Sequence, residues 1–289
     1  LLKTVKSKPS PLYDKRFSER IEIGNLEDDI EKVSTVDWII EVVVEKIEIK
    51  NIVFEKLDKY RKKGTLISSN TSGIPINSMI KNRSEDFCEN FCGTHFFNPP
   101  RYLKLLEIIP SKKTKQNVID FLINYGEKFL GKTTICCKDT PAFIANRIGI
   151  ANIASLLKIV EDMNLTVEET DALTGPVMGI PKSATFRTCD LVGLDTVNHV
   201  ANGIYSNCPK DEIHQSFKLT DFVHQMIQKD LLGDKTGKGF YKKTKDQNGK
   251  RKILTLDLKS LEYRDKIKPK FDVIKNAKKE SNLKNRIPI

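Results

Sequence analysis

The chain has 289 residues, 39% hydrophobic and 30% charged, a composition expected of a soluble globular protein long enough for two well-buried domains. No apolar run approaches the ~20 residues that span a bilayer. The opening LLKTVKSKPSPLYDK lacks the apolar core and small-residue cleavage site of a secretory signal. The net charge of +11 is spread along the chain, with a richer tail after Lys242. It would suit a phosphate-bearing small ligand as well as nucleic acid, but no aromatic-interleaved basic stripe or nucleic-acid module is visible.

In chain order, residues 1–20 predict an irregular entry or the remains of a helix. Arg20 to Asn25 is strand-like and Leu26 to Val33 a short helix. Asp37 to Val44, DWIIEVVV, is the continuous apolar run of a parallel strand covered on both faces. From Glu45 to Tyr60 the period becomes helical, with Ile49, Ile52, Val53 and Leu57 on one face. Thr65 to Ser69 is the next strand, completing a βαβ unit and pointing to an open α/β sheet. The strand runs into Asn70-Thr71-Ser72-Gly73, hydroxyl and amide groups where such sheets bind ligands and also ordinary turn residues.

Gly93 to Glu107, GTHFFNPPRYLKLLE, reads as two short buried strands joined by a Pro-rich turn. His95 and Glu107 lie on opposite sides of it. A carboxylate facing an imidazole fixes its tautomer and strengthens it for acid–base work; spacing alone favours a half-buried histidine and an exposed glutamate at a strand end. Val118, Phe121, Leu122, Tyr125 and Phe129 mark a helix closed by Gly131, and Thr133 to Cys137 a last strand. Asp139-Thr140-Pro141 is a helix-start signal, and from Phe143 the pattern is helical for most of the next hundred residues. Thr166 and Glu169 form a capping-box pattern. Gly175-Pro176 and Ile180-Pro181 interrupt, and helices are expected over 182–192, 194–206 and 218–230. Asn248-Gly249 signals a hairpin within 239–258; residues 259–289 read as a basic linker.

The six cysteines are scattered and unpaired, which suits a reducing cytoplasm. Cys88, Cys92 and His95 fall short of the four ligands of a structural metal site, so no metal is expected.

VDWIIEVVVE, SSNTS, GTHFFNPPRYLKLLE, KDTPAFIANR, DLVGLDT and GDKTGKGFY follow one another between residues 36 and 241. Together they resemble the 3-hydroxyacyl-CoA dehydrogenase family. The resemblance implies an α/β fold, an incomplete Rossmann-like parallel sheet over 1–138, then an all-helical substrate and dimerisation domain over 139–243. A hairpin and basic linker over 244–289 would lead toward a missing C-terminal part. It also implies NAD as cofactor and oxidation of an L-3-hydroxyacyl-CoA to the 3-ketoacyl-CoA in fatty-acid β-oxidation. His95 would be the general base and Glu107 its partner. Ser72 and Asn146 would orient the reacting oxygen, and Glu45, Lys50, Ser72, Asn98 and Lys235 would contact the cofactor. Expected partners are the acyl-CoA substrate and either a second copy or a parent multifunctional polypeptide, with no nucleic acid and no membrane span.

Two departures accompany the resemblance. No GxGxxG phosphate loop occurs in the sequence, so the chain reads as the middle of a longer polypeptide. Ala142 stands where the family has Gly, a change expected to be tolerable if the backbone there is helical. A dehydrogenase of another hydroxy acid, or a non-catalytic acyl-CoA-binding or assembly module, are the alternatives.

Overall fold

The structure is a computed structural model describing Ser7 and residues 10–288; residues 1–6, 8, 9 and 289 lie outside the described residues. The expected irregular entry therefore falls partly outside them, and its remainder includes a 3-10 turn, Lys15–Arg20, capped by Asp14. The chain divides into two compact units, residues 1–146 and 147–289. Among the described residues, no helix is long and apolar enough to cross a membrane.

The first unit is a Rossmann-like layer of one sheet and its helices. The sheet comprises β1 (Trp38–Glu41), β2 (Leu66–Ser69), β3 (Phe91–Phe96), β4 (Leu105–Pro110) and β5 (Thr133–Cys136), in that spatial order. All neighbours run parallel except β3 and β4. Helices α1 (Ile47–Tyr60), α2 (Ile76–Met79), α3 (Glu85–Glu89) and α4 (Gln116–Lys128) accompany it. Successive strand side chains point to opposite faces, and the core follows that rule. Ile67, Phe91 and Ile109 join Val53, Phe54 and Leu57 of α1 and Phe87 of α3 in one cluster. Their neighbours Leu66, Cys92 and Ile108 join Val118 and Leu122 of α4 in another.

Several expectations are corrected. Arg20 to Asn25 forms no strand and the short helix is a 3-10 turn, Ile30–Thr35. Asn25 instead accepts the amides of Glu27 and Asp28, a local turn that competes with strand pairing. DWIIEVVV is not covered on both faces. β1 is the sheet's edge among the described residues, and Val42 and Val44 are exposed. On α1 the buried face is Lys50, Val53, Phe54 and Leu57, with Ile49 and Ile52 exposed.

Asp139 does not start the next helix. Its carboxylate accepts from the amides of Ile76 and Asn77 at 2.7 and 2.8 Å, closing the start of α2 instead. Thr140 to Ile144 forms turns, and helix α5 (Ala145–Met163) begins only afterwards. Ala142 and Phe143 have φ of 62° and 49°. The backbone at Ala142 is therefore left-handed, the region glycine enters without cost, and not helical.

In the second unit, α5 is followed by α6 (Val167–Leu173), α7 (Phe186–Val192), α8 (Leu194–Asn207) and α9 (Asp221–Gln228). The Thr166–Glu169 capping box starts α6. Leu194, Val197, Ala201 and Ile204 form the buried stripe of α8, spaced as a helix requires. The hairpin is present as β6 (Tyr241–Lys245) and β7 (Arg251–Leu256), with Gly249 at φ 74° in its turn. The expected linker is structured: β8 (Tyr263–Asp265) adds antiparallel to β7, then α10 (Asp272–Ala277) and α11 (Leu283–Arg286) follow. Arg264 in β8 is held by Glu168 of α6 through bonds of 2.7 and 2.8 Å, a tie that no local pattern announces.

Candidate active site

The antiparallel register of β3 and β4 sets His95 directly opposite Glu107. Directly opposed residues on one face have their Cβ atoms within ~5.5 Å, close enough for a direct side-chain bond. His95 Nδ1 lies 2.7 Å from Glu107 Oε2. Both side chains are buried, and the ring packs against Phe97 and Phe143 at centroid distances of 4.5 and 5.6 Å. A carboxylate is an acceptor, so Nδ1 carries the hydrogen, and in the neutral ring Nε2 keeps its lone pair.

Glu107 is fixed on its other oxygen as well. Oε1 accepts the amides of Ile144 and Ala145 at 3.0 and 2.8 Å. Burial pushes this carboxyl up, but the bonds from His95, Ala145 and Ile144 outweigh it and leave its pKa below the ordinary glutamate value.

A second network sits at the carboxyl ends of β1 and β2. The Lys50 ammonium, on a side chain 1% exposed, lies 2.9 Å from Glu41 Oε1 and 3.2 Å from Glu45 Oε2. Ser69 donates its hydroxyl to Glu41 at 2.6 Å. Thr71 donates its hydroxyl to Glu45 at 2.5 Å and Ser72 its amide at 3.0 Å. Burial pushes Glu45 up; the bond from Thr71, the charge of Lys50 and the Ser72 amide leave it below its ordinary value. Asn70 Oδ1 accepts the amide of Phe96, the residue after His95, at 2.9 Å, and so ties this loop to the β3 strand.

Of the residues singled out in the sequence, the first unit brings His95 and Glu107 into contact and places Ser72 against Glu45. Lys50, expected among the cofactor contacts, turns its ammonium toward Glu41 and Glu45 and so anchors Glu45. Asn98 is exposed, three residues beyond His95. Asn146 is half-buried and follows Ala145, whose amide Glu107 binds. Lys235, in the second unit, is paired with Asp195. Sequence reasoning missed Glu41 and the tie from Asn70 to β3. Glu41 had a signal, a lone carboxylate inside an apolar strand.

Several polar groups at this end of the sheet are left free to hydrogen-bond a ligand such as a nucleotide. The Glu45 carboxylate is 39% exposed, the amide of Asn98 and the hydroxyl of Ser72 have no side-chain bond among the described residues, and the first turn of α1 has no side-chain cap. These groups lie where α/β sheets take ligands.

Comparison with known proteins then decides the family. Residues 3–140 match the profile "3-hydroxyacyl-CoA dehydrogenase, NAD binding domain" and residues 143–243 match "3-hydroxyacyl-CoA dehydrogenase, C-terminal domain". The chain belongs to the 3-hydroxyacyl-CoA dehydrogenase family.

A "Probable 3-hydroxyacyl-CoA dehydrogenase" of Bacillus subtilis is 46% identical over 285 residues, 99% of this chain but 35% of that protein. One of Deinococcus radiodurans is 46% identical over 253 residues, 88% of this chain and 72% of that protein. The chain thus spans about a third of one such relative and most of another. Among solved structures, Mycobacterium tuberculosis FadB2 superposes with a TM-score of 0.68 at 29% identity, covering 74% of this chain and 73% of its own. Within this family the first matched segment is the NAD-binding domain.

Proposed function

We propose that the chain oxidises the 3-hydroxyl of an L-3-hydroxyacyl-CoA to the 3-ketoacyl-CoA, in fatty-acid β-oxidation. The observation that carries this is the 2.7 Å bond from His95 to Glu107, which leaves the second imidazole nitrogen free. NAD, when bound, supplies the acceptor for the hydride leaving C3. His95 Nε2 takes the hydroxyl proton. Glu107 holds the ring in the competent tautomer and stabilises the imidazolium that forms. Ser72 and Asn146, whose side chains have no bond among the described residues, orient the reacting oxygen.

Glu45, Ser72 and Asn98 contact the cofactor, with Lys50 holding Glu45 in place. Exposed Ile148, Ile159 and Met163 on α5 support pairing of the helical unit with a second copy. The one-third share of the Bacillus relative supports work within a longer polypeptide. Six free cysteines support a cytoplasmic setting.

The test supplies NAD with L-3-hydroxybutyryl-CoA, its D isomer or free L-3-hydroxybutyrate and follows reduced nicotinamide by absorbance. Reduction with the L-thioester alone is expected; equal rates with the free acid would move the substrate class to simple hydroxy acids.

A further inference from the structure

In the second unit, α6, β6 and β7 border a cleft of about 940 Å³, within the size range of small-ligand pockets. Its walls combine the apolar Ala172, Ile253, Ile267 and Pro269 with five cations, Lys182, Arg187, Lys243, Lys266 and Lys268. Glu168, Asp171 and Asp234 also line it, but each is already engaged within the protein. Glu168 accepts two bonds from Arg264 and the amide of Ile267. Asp171 accepts from the Tyr241 hydroxyl at 2.7 Å and from the amides of Thr185, Phe186 and Arg187. Asp234 holds the Arg187 fork by bonds of 2.7 and 2.6 Å.

The lysines are less committed. Lys182 and Lys268 have no carboxylate partner among the described residues. Lys243 lies 3.8 Å from Asp234, whose carboxylate already serves Arg187. The cleft is left with positive charge carried by ammonium groups.

Three features select the ligand. With its guanidinium fork occupied, Arg187 is not free for bidentate recognition of a carboxylate; the remaining lysines act as point charges, which suit a doubly charged phosphate. Lys266 covers the Tyr241 ring at 4.9 Å, removing a stacking platform that a nucleobase would use. Ile253 and Ile267 are 45% and 59% exposed, offering an aliphatic surface beside the charges. A further cleft of about 620 Å³ continues past Ala172, Lys268 and Pro269 to Val177, Phe271 and Ile274, giving an aliphatic chain room to extend.

We propose that this cleft binds a soluble phosphomonoester with an aliphatic body, its phosphate on Lys182, Lys243 and Lys268 and its chain along Ile253, Ile267 and Pro269. A phospholipid headgroup has the same chemistry, but a concave cleft admits a free molecule more readily than a bilayer surface. None of the residues assigned to hydroxyacyl oxidation lines it, so the site stands independently of that activity.

The experiment is calorimetric titration of the full chain with hexyl phosphate, inorganic phosphate, hexanoate and phosphatidate vesicles. Hexyl phosphate is expected to saturate at one per chain and to bind about tenfold more tightly than inorganic phosphate or hexanoate. Replacing Lys182 and Lys268 together by Gln should weaken it by about tenfold, whereas replacing Lys81 and Lys259, exposed lysines elsewhere, should change it less than about twofold. Ile253→Ser should bring hexyl phosphate down to the affinity of inorganic phosphate. Thermal melts of each variant show that the fold is retained. Hexyl phosphate binding no better than inorganic phosphate, equal losses from both lysine pairs, or binding to vesicles alone would overturn the proposal.

Discussion

Glu107 accepts the Ala145 main-chain amide at 2.8 Å on the oxygen that His95 does not use. The carboxylate paired with the histidine is therefore clamped to the chain just ahead of Asn146, and truncating Glu107 would remove both contacts.

Glu107→Gln keeps an acceptor for Ile144 and Ala145 but can turn its amide hydrogens toward His95, favouring the wrong tautomer. A loss of about 100-fold in kcat with KM within about threefold is expected. Steady-state kinetics check it; a rate within a factor of about two of the parent would show that the pair does not set the tautomer.

Acid should weaken the first unit through the same group. The Glu107 pKa is depressed in the folded state from an ordinary 4.5. Its contribution is therefore present above that value and lost as pH falls below it through the folded pKa. Denaturant melts between pH 3 and pH 6 should show this dependence in the parent and a smaller one in Glu107→Gln.

Asp190 behaves oppositely. Burial raises it from 3.8 to about 6 despite bonds from the amides of Tyr241 and Phe240. The folded state favours its protonated form, so its cost grows as pH rises from about 4 to about 6 and levels off above, on the order of 3 kcal/mol in total. The stability difference between Asp190→Asn and the parent should shift in the variant's favour by that order across this window. A flat difference would contradict the assignment. The bonded amides give the variant a constant offset, which does not affect the slope.

The buried Lys50–Glu41 pair is expected to show strong coupling. Lys50→Met strands a buried carboxylate and should cost about 3–5 kcal/mol, while Lys50→Met combined with Glu41→Gln should cost less than the sum of the two single changes. Additive losses in urea melts would mean that the pair is not coupled.

How far the sequence reveals these features depends on the range of the interaction. The His95–Glu107 register was legible because one short turn joins both strands, so partner and alignment are local. The capping box at Thr166 and the hairpin turn at Gly249 are local in the same sense. Asp139 was misread because the amides it satisfies belong to Ile76 and Asn77, far back in the chain. Lys50 falls on the same helical face as Val53, Phe54 and Leu57, but a lysine is read as exposed until its carboxylate partners are known. β8 was missed because its partner strand and Glu168 are tertiary contacts, invisible to a basic, weakly periodic stretch.

Ala142 offers a backbone test. At φ 62° and 4% exposure, it has neither the conformation nor the space for a branched side chain. Ala142→Val should lose about 2 kcal/mol or more. Ala142→Gly should stay within about 0.5 kcal/mol, since relief of strain is offset by lost burial and greater unfolded-state freedom. Equal stabilities for the Val variant and the parent would show that the left-handed turn is absent in solution.

The central claim is that His95 is the base for hydride-coupled oxidation at the 3-position. Its most direct test follows NADH consumption with acetoacetyl-CoA for the parent chain and for His95→Gln, with thermal melts confirming that both are folded. Oxidation by the parent and a loss of about 1,000-fold or more in the variant is the expected result. Equal rates from the two folded proteins would contradict it.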